Sequence, residues 1–169
     1  PGPVWIELPL DVQSSFINPK KLKSFKVKKV KKKLPIKQFE KSIKLINTSN
    51  KPLIICGYGI RSSNAVSNLK RLIKKTRIPL SPSWNTIDVM NSKSDYVVGR
   101  AGLFGDRASN YAVQKSDLLI ILGSRLSTAQ IGYMDDLYGK NAKKIYVEID
   151  KNELRKPTAR ADLPIKCNV

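Results

Sequence analysis

Two short apolar runs constrain this chain more than any other feature. Leu53-Ile54-Ile55-Cys56 and Leu118-Leu119-Ile120-Ile121-Leu122 show no polar alternation, the mark of strands covered on both faces. Each stops at a glycine, Gly57 or Gly123. Helical spacing surrounds them. Ile36, Phe39, Ile43 and Ile46 recur three and four apart and predict a helix with these side chains inward. Ala65, Val66, Leu69, Leu72 and Ile73 predict a second, with Ser62 or Ser63 as its cap. A third is expected over 106–115, burying Ala108, Tyr111 and Ala112. Further strands are expected at 78–81 and 144–149, and Asp150 is expected to cap a helical turn at 152–155. Strands alternating with helices predict βαβ units, so the class is α/β: an open, mainly parallel sheet with helices on both faces.

The net charge of +19 is unevenly spread: residues 20–51 hold 13 lysines against the single acid Glu40. The run Lys20-Lys21-Leu22-Lys23, Lys28-Lys29 and Lys31-Lys32-Lys33 has no arginine and only Phe25 for stacking, whereas nucleic-acid grooves mix arginine and aromatics with lysine. It reads as a solvated linker, with no nucleic-acid partner expected. There is no histidine, which excludes Ser-His-Asp and Cys-His catalysis and histidine metal sites. Cys56 and Cys167 are too far apart for a CxxC pair and read as core residues in a reducing cytoplasm. No apolar run approaches the roughly 18 residues of a membrane span, so no membrane association is expected. The chain opens on Pro1-Gly2-Pro3 and passes at once into Val4-Trp5-Ile6-Glu7-Leu8, which reads like the last strand of something earlier and suggests a fragment.

Ligands of open α/β sheets bind beyond the carboxyl ends of strands. Three loops are expected there, at 57–62, 123–132 and 148–151. Gly57-Tyr58-Gly59 sits where a phosphate-binding turn would lie, but Ser62 holds the place of the third glycine of GxGxxG, so a plain tight turn is an equal alternative. Gly99-Arg100-Ala101-Gly102-Leu103-Phe104-Gly105 is a second glycine-rich stretch, and Gly123-Ser124-Arg125 a third. Arg125 after a strand suits an anionic group, and Glu148 ends a strand where an acid can accept ribose hydroxyls.

These stretches, with Pro1 to Gln13, Lys51-Pro52-Leu53 through Ile60, Ser116-Asp117-Leu118 through Leu126, and Val147-Glu148-Ile149-Asp150 to Leu154, resemble thiamine-diphosphate-dependent enzymes of the acetolactate synthase-like family in order and spacing. The resemblance covers nearly the whole chain. It implies that 1–13 is the tail of a pyrimidine-binding domain, 14–35 a Lys-rich linker, and 36–169 a central, Rossmann-like (DHS-like) nucleotide- or FAD-binding-like domain. It implies a homodimer or homotetramer acting on a 2-keto acid. Thiamine diphosphate and Mg2+ would be held by flanking domains, with the activating glutamate upstream and the Gly-Asp-Gly motif downstream. No catalytic residue and no metal ligand is therefore expected here. FAD is the group this domain itself would hold. Its implied contacts are Gly57, Tyr58, Gly59, Gly123, Ser124 and Arg125, with Glu148, Ile149, Asn168 and Val169 near the adenosine half. Leu103, Phe104 and Gly105 match a loop facing flavin or substrate.

The chain departs from FAD-binding members at Tyr58, where they have glycine, at Asn168, where they have aspartate, and across Leu126 to Tyr133. Those residues resemble members that build branched or acylated sugars, so product and flavin stay open. The implied activity is decarboxylation of a 2-keto acid and acyl transfer to a carbonyl acceptor, with this domain as cofactor platform. Two other readings compete: a nucleotide-binding scaffold for FAD, NAD or an ADP-type effector, and a Lys-rich nucleic-acid-binding domain.

Overall fold

The computed structural model describes residues 3–24 and 34–169. Of the run behind the nucleic-acid reading, Lys20, Lys21 and Lys23 are described and exposed, while Phe25 and the lysines at 28, 29 and 31–33 lie outside the described residues, as do Pro1 and Gly2. Contacts divide the chain into two units, Pro1–Lys33 and Leu34–Val169. In the first, α1 (Leu10–Gln13) and a 3₁₀ turn at Pro19–Lys21 are the regular elements among the described residues. Val4 to Leu8 form no strand. A strand exists only against a neighbour, and none of the described residues pairs with this segment.

The second unit is one five-stranded, all-parallel sheet. In chain order come α2 (Ile36–Thr48), β1 (Pro52–Cys56), α3 (Gly59–Ser62), α4 (Val66–Thr76) and β2 (Leu80–Pro82). Then follow α5 (Arg107–Lys115), β3 (Leu118–Leu122), α6 (Thr128–Ile131), β4 (Lys143–Glu148) and β5 (Leu163–Lys166). The spatial order is β2-β1-β3-β4-β5. Each central strand sends alternate residues to opposite faces. Ile54, Cys56, Leu118 and Ile120 join one core with Leu69 and Ile73 of α4 and the half-buried Phe39, Leu45 and Ile46 of α2. Leu53, Ile55, Leu119 and Ile121 join the other with Val113 of α5 and Tyr146 of β4. Both faces are covered, which is why the two runs carry no polar residue. Burying each such side chain contributes about 1.5–3 kcal/mol.

Several local expectations change. The inner face of α2 is turned: Phe39, Leu45 and Ile46 pack inward, while Ile36 and Ile43 are exposed. On α5 the buried residues are Ser109 and Val113, and Ala108 and Tyr111 face solvent. Ser109 is tolerated inside because its hydroxyl pairs with that of buried Ser81 at 2.7 Å. Neither Ser62 nor Ser63 caps α4. Their hydroxyls donate to Gly59 O and Ile60 O, and Ala65 precedes α4 without a side-chain cap. Strand β4 ends at Glu148, leaving Ile149 exposed. Strand β5 was not expected, because only Ile165 of its four residues is buried. Both edge strands carry proline, Pro82 and Pro164, which an edge accepts because one side needs no donor.

Candidate functional site

The order β2-β1-β3 creates a switch point: the chain leaves β1 toward one side of the sheet and β3 toward the other. A cleft of about 520 Å³ opens there, at the carboxyl ends of the strands. From β1 it takes Gly57, Tyr58, Gly59 and Ser62, and from the segment after β2 Ser83, Trp84 and Asn85. The segment after β3 contributes Gly123 through Ser127, with Ala129 and Gln130 of α6. Glu148 and Ile149 close it from β4, and Asn168 and Val169 from beyond β5. Ten of the thirteen residues named from the sequence thus share one cleft. The others, Leu103, Phe104 and Gly105, stand beside it. Leu103 N–H donates to Ala129 O at 2.9 Å, and the Phe104 ring lies 6.3 Å from that of Trp84, tilted by 44°.

Of the two turns open to these glycines, their own amides fit the plain one. Gly57 N–H donates to Leu122 O and Gly59 N–H to Gly123 O, both at 2.9 Å. Neither amide is left for a ligand. A Cβ on Gly57 would sit 2.3 Å from Gly123 O and 2.4 Å from Ser124 Cα. Glycine is therefore required because two loop backbones touch. With only four residues, α3 offers no dipole-bearing N-terminus for an anion.

What the cleft does offer lies one residue on. The Ser124 carbonyl accepts from Tyr146 OH at 2.6 Å, and Lys156 donates to the carbonyls of Arg125 and Leu126. These bonds hold the loop with buried Leu126 at φ +47°, a strained backbone for a branched residue. The N–H groups of Tyr58, Ser124 and Arg125 have no protein acceptor among the described residues. The Arg125 side chain is 77% exposed and reaches Glu153 only at 3.8 Å, so it is free to meet an anion. Glu148 is buried, and its Oε1 accepts from Ile149 N–H at 2.8 Å while Oε2 keeps its acceptor capacity. At the end of β1, burial pushes the Cys56 thiol up to about 11, opposed by its bond to Thr86, so no thiolate nucleophile forms at neutral pH. Asp106 is held below the usual carboxylate range first by Arg100 N–H, at 2.8 Å, and it pins the glycine-rich loop rather than facing the cleft.

Sequence reasoning passed over Ser83, Trp84 and Asn85 as cleft residues, and gave no role to Ala101 or Gln130 within the stretches it did single out. Their spacing carries no signal, since tertiary bonds bring them in: Ser83 N–H and Thr86 Oγ1 both donate to Cys56 O, tying the segment after β2 to the end of β1.

The model of the thiamine pyrophosphate enzyme central domain matches residues 39–169. The chain is 36% identical over 176 residues to the probable acetolactate synthase large subunit of Methanocaldococcus jannaschii, covering 98% of this chain and 28% of that protein. It is 30% identical over 156 residues to the acetolactate synthase isozyme 1 large subunit of Escherichia coli, covering 92% and 27%. Against the acetolactate synthase large subunit of Porphyra purpurea the figures are 32% over 160 residues, 92% and 27%. It therefore spans little more than a quarter of the length of these relatives. With a doubly covered parallel sheet and a family match running from Phe39 to Val169, the chain belongs to the thiamine pyrophosphate enzyme family, as its central domain.

Proposed function

We propose that this chain is the cofactor-platform and subunit-contact domain of a thiamine-diphosphate-dependent carboligase. The whole enzyme would decarboxylate a 2-keto acid such as pyruvate and transfer the acyl unit to a carbonyl acceptor. The observation that carries this reading is the cleft at the β1/β3 switch point, lying inside the span that matches the family. The names of the relatives support the substrate class. Thiamine diphosphate and Mg2+ would be held by flanking domains, with residues 1–13 ending the preceding one and 14–35 linking it to this. The enzyme would work as a homodimer or homotetramer in the cytoplasm. Among the described residues no helix is long and apolar enough to cross a membrane.

The cleft residues fit FAD or a related nucleotide. Glu148 Oε2 suits ribose hydroxyls, Asn168 and Val169 would border the adenosine, and the N–H groups of Tyr58, Ser124 and Arg125 suit a diphosphate. When bound, such a group would supply structure rather than side-chain chemistry.

The test is turnover of pyruvate and other 2-keto acids by the complete protein with thiamine diphosphate and Mg2+, across several acceptors. No turnover with any of them sinks the carboligase reading. Separately, FAD, NAD and ADP at millimolar concentration should raise the melting temperature if the cleft binds them.

A further inference from the structure

Among the described residues, one buried side-chain polar atom of the cleft is left without a partner. Gln130, on α6, lines the cleft, and its Nε2 is buried with no hydrogen-bond acceptor. A relay orients its amide. Leu126 N–H donates to Ser124 Oγ at 3.5 Å, and the Ser124 hydroxyl donates to Gln130 Oε1 at 3.0 Å. With Oε1 accepting the hydroxyl proton, the NH2 edge is the one that stays unpaired. Buried donors are almost always satisfied, so an orphan at a cleft wall calls for an acceptor from outside the chain.

The surroundings narrow what that acceptor is. Gly102 approaches so closely that a Cβ there would lie 2.5 Å from Ala129 O and 3.3 Å from Gln130 Cα. Two residues on, Phe104 packs against Trp84, which lines the same cleft. One cleft therefore holds both an amide donor and the aromatic Trp84, with Arg125 five residues before Gln130 on the same segment and Glu148 across from it at the end of β4. A neutral donor and an aromatic side chain in one cleft suit a flat heterocycle that presents a carbonyl oxygen or ring nitrogen at its edge.

We propose that Gln130 is the specificity-determining residue of the cleft, its Nε2 donating to a carbonyl oxygen or ring nitrogen on the heterocycle of a nucleotide-type ligand. This rests on reading the cleft as a nucleotide site.

The test is calorimetric titration of the complete protein with FAD, ADP and riboflavin, for the wild type, Gln130→Met and Ser124→Ala. The expected result is that a probe bound by the wild type binds about tenfold more weakly to Gln130→Met. Ligand-free Gln130→Met should melt close to the wild type, since it removes the unpaired Nε2 donor but also takes the acceptor from the buried Ser124 hydroxyl. Ser124→Ala, which frees the amide to rotate, should weaken the same probe by a few-fold. If Gln130→Met binds as tightly as the wild type, the role of Gln130 falls and the nucleotide reading stands. A lower melting temperature with unchanged affinity assigns Gln130 a structural part and overturns the proposal. If the wild type binds none of the probes at millimolar concentration, both readings fall. Should Gln130→Met fail to fold, Ser124→Ala decides: weaker binding supports the proposal and unchanged binding overturns it.

Discussion

Gly59 donates its N–H to the carbonyl of Gly123 at 2.9 Å, and a Cβ on either glycine would lie 2.6 Å from the Cα of the other. This contact locks the loop after β1 to the loop after β3 and sets the floor of the cleft. Gly123 also sits at φ +57°. Gly123→Ala therefore meets both a steric clash and a left-handed backbone. It should cost about 2–4 kcal/mol of stability, measured by urea denaturation, and abolish any ligand binding in the cleft. Gly132→Ala, where the nearest contact to an added Cβ is an ordinary 3.7 Å to Leu103, should cost only the backbone share.

At the opposite ends of the strands, Asp117 accepts from Asn50 N–H at 2.7 Å, from Lys51 N–H at 3.0 Å and from the Ser49 hydroxyl. It ties the loop after α2 to the start of β3. Asp117→Ala should cost about 1–3 kcal/mol, toward the lower figure because the site is half-exposed.

The same carboxylate sets an acid response. Burial works against its charge, but the bonds from Ser49, Asn50 and Lys51 prevail and hold Asp117 below the usual carboxylate range. Asp106, through Arg100, and Asp88, through Arg61, are lowered too. A carboxylate whose pKa falls on folding contributes stability that is present above its unfolded value, roughly 4, and is lost as the pH drops through the folded value. Urea midpoints should fall between about pH 4 and pH 2, and Asp117→Asn should flatten the fall.

At alkaline pH the sign reverses. Cys56 is pushed up to about 11 by burial, and burial raises Tyr138 and Tyr146 as well. Their protonated forms stabilise the fold fully below the unfolded value, about 8.5 for a thiol, and this share is lost as pH climbs through the folded value. Stability should decline from about pH 9 to 11, less so in Cys56→Ala. At pH 8 iodoacetamide should leave Cys56 unmodified in the native protein and label it in urea, read by mass spectrometry.

Trp84 reports on the cleft directly. The chain has two tryptophans, Trp5 and Trp84, and Trp84 is the one that lines the cleft. In a Trp5→Phe background, FAD should quench the remaining fluorescence in a saturable way. A linear decrease without saturation would show that the cleft does not hold it.

The sequence by itself determined the two central strands of the sheet. Leu118 to Leu122 appears as a strand with the expected ends, and Leu53 to Cys56 gains only Pro52, because a run apolar on both faces has no other way to be covered. It also brought Gly57, Gly123 and Glu148 to the carboxyl ends of strands, since each stands at or next to the end of an apolar run. Helix faces were less legible. A half-buried helix such as α5 can bury Ser109 and expose Tyr111 when a hydroxyl on a neighbouring strand provides the partner. Only the tertiary structure decided which amides are spent and which are free. Gly57 and Gly59 look like a phosphate turn along the chain, yet their N–H groups answer carbonyls that arrive some 65 residues later, with β3. It likewise decided that Trp84 and Gln130 share one cleft. That juxtaposition depends on strand order, and strand order is settled by long-range pairing that no local pattern encodes.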